Sequence, residues 1–224
     1  MSQKTKYFLS ALIFIAVLVI DQFIKVCVKT GMYLGERIEI TSWFQLVFVE
    51  NNGMAFGWEL YGGKLFLTLF RLVAVTAIGW FIYKEVRRGR PMGYIVCLSL
   101  VMAGAAGNII DCLFYGLIFN NPPHPMVAQF VPWGMGYGEL LYGRVVDMFY
   151  FPLVEWDMPD WVPVYGGQHC VFFSPVFNFA DAAISCGIVA LVLFYHKILN
   201  EYSGKEKAEE VEGKENVEIT GLTS

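Results

Sequence analysis

The sequence predicts a mainly α-helical membrane protein with four transmembrane helices, a small extracytoplasmic β-sheet and a long extracytoplasmic loop. Of its 224 residues, 56% are hydrophobic and only 16% are charged, whereas soluble domains carry about 25% charged residues. Four apolar stretches have the length of about 20 residues that a helix needs to cross a bilayer. Basic residues gather in the segments that would share one side of the membrane. These three observations exclude an ordinary soluble domain.

The first apolar stretch resembles a signal peptide at its start, because Lys4 and Lys6 precede it. No small-residue cleavage site follows, however, and the apolar run continues into Asp21 and Lys25. We therefore interpret it as a retained helix. The four predicted transmembrane helices cover residues of about 7–28, 65–83, 92–115 and 176–199.

The distribution of Lys and Arg predicts the orientation in the membrane. Cytoplasmic loops carry an excess of these residues. They flank the first helix, crowd the link between the second and third, and follow the fourth: Lys4, Lys6, Lys84, Arg87, Arg88, Arg90, Lys197, Lys205 and Lys207. Both termini should then be cytoplasmic, and the loops at about 29–64 and 116–175 should lie on the outer, periplasmic side.

The two outer loops differ in composition. The first has a β-branched and aromatic run that predicts strands within about 36–58. The second, at about 117–174, is rich in Pro, Gly and Trp, which is typical of an irregular cap at the membrane surface. We expect residues 1–202 to form one domain and the acidic residues 203–224 to be a disordered cytoplasmic tail.

Cysteine and histidine patterns exclude several kinds of chemistry. The five Cys contain no CxxC pair and the three His show no ligand spacing, so we predict neither a disulfide framework nor a metal site nor any cofactor. No basic patch indicates a nucleic-acid partner. Membrane lipids are the expected surroundings, and we expect a monomer.

Four aspartates are predicted to meet at the outer membrane surface. Placing an ionisable side chain at membrane depth costs free energy, so such residues are functional candidates by default. Asp21, Asp111 and Asp181 lie near the outer ends of helices, and Asp147 lies in the second outer loop. Two close carboxylates share a proton, so one can activate a water while the other polarises a carbonyl. Non-catalytic roles remain open, since such aspartates also cap helices, pair with Arg or line ion pathways. Asp21 and Lys25 in particular fit an ion pair on the surface of a helix.

Five short motifs, in this order, are similar to those of the bacterial signal peptidase II family, the lipoprotein signal peptidases. They are residues 21–25 (DQFIK), 51–57 (NNGMAFG), 104–111 (GAAGNIID), 143–148 (GRVVDM) and 177–181 (FNFAD). The resemblance covers about residues 7–199. It implies an aspartic endopeptidase of the bacterial inner membrane that removes the signal peptide from diacylglyceryl-modified prolipoproteins, cutting before the lipid-modified cysteine.

The resemblance also ranks the aspartates. It implies that Asp147 and Asp181 form the catalytic dyad. The remaining matching positions would support the site or bind substrate: Asn51, Asn108, Asp111, Asn178, Ala180, Asp21 and Lys25. For Gly53 and Gly107 we favour turn geometry and close helix packing.

Two departures from the family pattern stand out. Cys112 occupies the position after Asp111 where family members commonly have Arg. Either this Arg is dispensable or another cation replaces it, for which Arg144 is our hypothesis. Arg71 is expected to be a structural partner or a snorkelling side chain. The outer segment is also long, with extra sequence at about 117–141 and 152–174, which fits either a closing loop or surface elaboration.

Two other functional classes compete with the peptidase. A small transporter would have acidic residues at the midplane, broken helices or an internal repeat, whereas these aspartates gather at one surface. A lipid or lipoprotein binder would bind without turnover, which an assay with a labelled lipopeptide would distinguish.

Overall fold

Four long helices dominate the computed structural model, which describes residues 1–52, 63–164, 166–172 and 174–221, with main chain only for 202–221. They are α1 (Gln3–Gly31), α2 (Gly63–Arg87), α3 (Met92–Ile110) and α4 (Phe179–Gly221). A π-helical turn (Asp111–Tyr115) and one last helical turn (Gly116–Ile118) extend α3. Each helix contains a stretch long and apolar enough to cross a membrane. The four predicted transmembrane helices are confirmed.

Local sequence explains where these helices begin and turn. The Ser2 side chain caps α1 by accepting from the Thr5 main-chain N–H at 3.2 Å. Gly89 joins α2 to α3 at φ +77°, a conformation that other residues rarely adopt. Pro91 then precedes α3 directly.

Helix α3 is the centre of the bundle and packs against the other three helices. Two glycines allow this close approach. A Cβ at Gly104 would meet the Ile184 side chain at 2.7 Å, and one at Gly107 would lie 2.7 Å from the Asp21 carboxylate. The packing role predicted for Gly107 is confirmed, whereas Gly53 lies outside the described residues.

A three-stranded antiparallel sheet lies between the helices in sequence and carries part of the site. It has the order β1 (Arg37–Thr41), β2 (Phe44–Asn51) and β3 (Val145–Tyr150). The strands predicted in the first outer loop are thus present as β1 and β2. In the second outer loop, Asp147 lies on β3, opposite Val49 of β2, and not in a loop as the sequence suggested.

The rest of the second outer loop is mostly irregular, as predicted, but it includes a two-stranded sheet of β4 (Val154–Asp157) and β5 (His169–Phe172). Beyond it, Phe149 of β3 and Phe177 exchange main-chain hydrogen bonds of 2.7 and 3.0 Å. This bridge brings β3 against the segment that leads into α4.

The C-terminal segment differs from the sequence prediction of a disordered tail. The main chain of α4 continues as helix to Gly221, after a break in helical geometry at Tyr195. The residues beyond Glu201 include several Glu and Lys and one Ala, which favour helix, but also Gly204 and Gly213, which disfavour it.

Candidate active site

Asp181 is positioned by the first turn of α4. The Asn178 side-chain oxygen accepts from the Asp181 main-chain N–H at 2.9 Å, and the Asp181 carboxylate accepts from the Asn178 main-chain N–H at 3.3 Å. These reciprocal bonds form a capping box, which satisfies N–H groups that a helix start otherwise leaves unpaired. The candidate catalytic carboxylate is therefore part of the cap of its own helix.

Two asparagine side chains join Asp181 to Asp147. Asn178 Nδ2 donates to Asp147 Oδ1 at 2.6 Å and to Asn108 Oδ1 at 3.1 Å. Asn108 Nδ2 donates in turn to Asp181 Oδ1 at 2.8 Å. On the other side, Asn51 Nδ2 donates to Asp147 Oδ2 at 3.2 Å. The structure thus brings the two predicted dyad residues and three predicted supporting asparagines into one hydrogen-bonded group.

The environment of Asp147 favours its protonated form. Its side chain is only 3% exposed, and this burial, together with the nearby Asp181 carboxylate, raises the pKa of Asp147 to about 7. Hydrogen bonds from Asn51 and Asn178 oppose the shift because they stabilise the ionised form. Asp181 is only half-buried. The two carboxylates therefore have unequal surroundings, as a proton-sharing pair needs.

A buried ion triad lies beneath this group. Lys25 Nζ is 3.0 Å from Asp21 Oδ2 and 2.9 Å from Asp111 Oδ2, and all three side chains are 0% exposed. Lys25 also donates to Asn108 at 2.8 Å. The alternative of a helix-surface pair between Asp21 and Lys25 is wrong, because α3 and α4 cover this face of α1.

The two aspartates of the triad hold the main chain next to the candidate dyad. Asp21 Oδ1 accepts from the Ala180 N–H at 2.9 Å, directly before Asp181. Asp111 Oδ2 accepts from the Val146 N–H at 3.2 Å, directly before Asp147. The predicted convergence of four aspartates is confirmed, and the structure gives Ala180 a main-chain contact with this network.

Sequence reasoning did not single out Gln22, although it lies in the first motif. Its Nε2 donates to Asp111 at 2.8 Å and to Asp21 at 3.1 Å, and its Oε1 accepts from the Tyr115 hydroxyl at 3.2 Å. The sequence signal that could have indicated Gln22 is its position directly after Asp21, an aspartate within an apolar helix. Because neighbouring helical residues do not share a face, spacing alone did not place it with Asp111.

The arginine that contacts Cys112 is Arg71, while the replacement of the family's Arg by Arg144 stays a hypothesis. Arg71 Nη1 lies 3.7 Å from Cys112 Sγ. Arg144 instead donates to Glu50 at 2.8 Å, while Glu50 also pairs with buried Lys29. A carboxylate between two cations is better satisfied than one with a single partner, which explains why Arg144 turns toward Glu50.

Within the described residues, no group of three or more His, Cys, Asp or Glu side chains is arranged to hold a metal ion. The arrangement offers carboxylates, neutral amides and a buried lysine. Such a set can bind and activate a water molecule and can donate hydrogen bonds to a carbonyl oxygen.

Comparisons with known proteins agree with this arrangement. The family model described as Signal peptidase (SPase) II matches residues 13–197. A lipoprotein signal peptidase of Porphyromonas gingivalis is 50% identical over 191 residues, which cover 85% of this chain and 84% of that protein. One of Amoebophilus asiaticus is 36% identical, covering 89% and 83%. A solved bacterial membrane enzyme shares the fold, with a TM-score of 0.56, 24% identity and coverage of 82% and 90%. The chain thus belongs to the signal peptidase II family of membrane-embedded aspartic endopeptidases.

Proposed function

We propose that this enzyme removes the signal peptide from diacylglyceryl-modified prolipoproteins, cutting before the lipid-modified cysteine with Asp147 and Asp181 as its catalytic dyad. The observation that carries the proposal is the direct contact of Asn178 with both carboxylates, at 2.6 Å to Asp147 and 3.3 Å to Asp181. Relatives named lipoprotein signal peptidases support the substrate class.

The proposed reaction uses one protonated and one ionised carboxylate. Burial and the neighbouring charge raise the pKa of Asp147 to about 7, which favours Asp147 as the protonated member and general acid. Asp181 then takes a proton from water while that water attacks the scissile carbonyl carbon. Asp147 gives its proton to the carbonyl oxygen, which forms a gem-diol intermediate. On collapse the C–N bond breaks, Asp181 passes the proton from the water to the leaving nitrogen, and Asp147 takes back a proton from a gem-diol hydroxyl, so the carboxylic acid and the amine are released and both aspartates return to their starting state.

The remaining polar groups have positioning roles in this proposal. Asn51, Asn108 and Asn178 are neutral, so they can hold a carboxylate without fixing its charge. The Lys25 triad holds the two peptide N–H groups that precede Asp147 and Asp181. These main-chain contacts restrict the separation of the dyad, on which the activation of a single water depends.

The test is cleavage of a diacylglyceryl-modified prolipoprotein by purified variants. Asp147→Asn and Asp181→Asn should each reduce turnover to background, because neither amide can exchange a proton as the carboxylates do. Asp160→Asn provides a matched control, since Asp160 is exposed on the outer insertion and should leave the rate unchanged. Thermal unfolding of each variant checks that the fold is intact. Wild-type turnover in either dyad variant would refute the assignment.

We also propose that both termini are cytoplasmic and that the site faces the periplasm. The basic residues near the two ends of the chain and in the link from α2 to α3 support this orientation. A fluorescent protein that matures only in the cytoplasm, fused after Ser224, should fluoresce. A dark fusion that is nevertheless produced at full length would contradict the orientation.

A further inference from the structure

The first half of α2 carries three polar side chains among apolar ones. Lys64, Thr68 and Arg71 are spaced at i, i+4 and i+7, so they share one side of the helix. We call these three residues the α2 polar face. Arg71 is the only charged residue of α2 between Lys64 and Lys84. Such a residue within a membrane span is a functional candidate by default.

The α2 polar face is directed at the chain around the candidate dyad and not at lipid. Lys64 Nζ donates to Asn52 at 3.3 Å, next to Asn51. The Thr68 hydroxyl donates to the Lys64 carbonyl of its own helix at 2.9 Å and lies 3.3 Å from the Leu141 carbonyl. Arg71 Nη1 reaches the sulfur of Cys112, next to Asp111. The two ends of the α2 polar face therefore contact Asn52 and Cys112, which directly follow Asn51 and Asp111 of the candidate site.

The charge of Arg71 is not neutralised within the described part of the chain. Its described polar partner is a thiol sulfur, 3.7 Å away, which is a weak and uncharged acceptor. No ion pair joins Arg71 to a carboxylate within the described residues, and Glu50 pairs with Lys29 and Arg144. Arg71 is half-buried, and a desolvated guanidinium favours oxygen ligands that match its planar fork of donors. Part of that fork is left for a bound molecule.

We propose that Arg71 is a substrate-positioning residue, whose guanidinium binds carbonyl oxygens of the prolipoprotein chain beside the bond that is cut. This inference rests on the proposed function. An extended peptide that passes the dyad presents main-chain carbonyls, and a charge-assisted hydrogen bond to one of them fixes its register. Arg71 acts on binding and takes no part in proton transfer.

The experiment measures kcat and KM separately with a labelled diacylglyceryl lipopeptide in phospholipid-free detergent micelles. Arg71→Met should raise KM by about ten- to a hundredfold, with kcat changed far less, as expected for loss of a charge-assisted hydrogen bond. Arg71→Lys should fall between, because Lys keeps the charge but not the fork. Lys84→Met removes a cation from the opposite end of α2 and should leave both constants unchanged.

Moving the cation across the contact gives a second readout. Because the side chains of Arg71 and Cys112 touch, the double variant Arg71→Met/Cys112→Arg places a guanidinium at the same location from α3. It should restore KM to within a few-fold of wild type, which a purely structural role of Arg71 does not predict. If the double variant unfolds at the wild-type temperature yet keeps the high KM, the proposal is overturned.

Two other outcomes would also overturn it. An unchanged KM in Arg71→Met excludes substrate contact. If Arg71→Met raises KM in phosphatidylglycerol vesicles but not in phospholipid-free micelles, the partner of Arg71 is a lipid phosphate and not the substrate. Failure of the proposed function would look different, because it would show as turnover that survives Asp147→Asn, whatever Arg71→Met does to KM.

Discussion

Replacing Asn178 by alanine tests whether the hydrogen bonds around Asp147 set the pH range of activity. The substitution removes the 2.6 Å bond from Asn178 Nδ2 to Asp147 Oδ1. A hydrogen bond to a charged group contributes about 1.5–3 kcal/mol. Because one pKa unit corresponds to about 1.4 kcal/mol, its loss should raise the pKa of Asp147 further, by about one to two units.

The sign of the effect on activity follows from the proposed mechanism. Turnover needs Asp147 protonated, so the rate falls on the alkaline side as that group ionises, starting from its pKa of about 7. A higher pKa in Asn178→Ala should therefore move the alkaline limb of the kcat/KM profile to higher pH by about one to two units. The assay is lipopeptide cleavage across a range of about pH 5 to pH 10.

The control for this experiment separates the carboxylate from the helix cap. Asn178→Ala also removes the acceptor for the Asp181 N–H, which should lower the unfolding free energy by about 0.5–2 kcal/mol. Asn178→Ser keeps a capping oxygen but cannot donate through an amide. Both variants should show the shifted limb, while only the alanine variant should lose stability. An alkaline limb that stays in place or moves to lower pH in both would refute the reasoning.

Two further predictions concern stability. Lys25→Met leaves the buried carboxylates of Asp21 and Asp111 without their shared cation, so we expect a loss of about 3–5 kcal/mol. Thermal unfolding in detergent measures it, and Lys25→Met/Asp111→Asn should lose less; an equal loss would contradict the electrostatic explanation. Second, the folded pKa of Asp147 of about 7 lies above the ordinary value of 3.8, so the folded state binds this proton more tightly and the unfolding free energy falls as pH rises through that range. The melting temperature should be higher at about pH 5 than at about pH 8, and a difference of the same size in Asp147→Asn would show that another group is responsible.

The helices were predictable because their signal is local. A bilayer imposes length and apolar composition on each span, and both can be counted along the chain. The N-terminal polarity of α4 was equally visible, since Asn178 and Asp181 have the spacing of a capping box. The hydrogen bond from Asn178, the capping residue, to Asp147 became apparent only with the structure.

Strand β3 was missed because its evidence is non-local. Residues 145–150 (VVDMFY) have no polar alternation, and the strand exists because it pairs with β2, where Val49 lies opposite Asp147. Pairing across so much intervening chain has no local sequence signal. The contact of Arg71 with Cys112 was missed for the same reason, because it depends on which segments pack together.

The bridge between Phe149 and Phe177 has a consequence for the segment that lies between these two residues. The excursion that contains β4 and β5 leaves and returns through two residues that are hydrogen-bonded to each other. Chain length within such a closed excursion changes the closure entropy only slowly. Its content can therefore grow, shrink or be replaced by a foreign peptide while the base of the excursion stays fixed. This makes the tip at about residues 158–168 a natural place to graft an epitope or a reporter without disturbing the aspartates below.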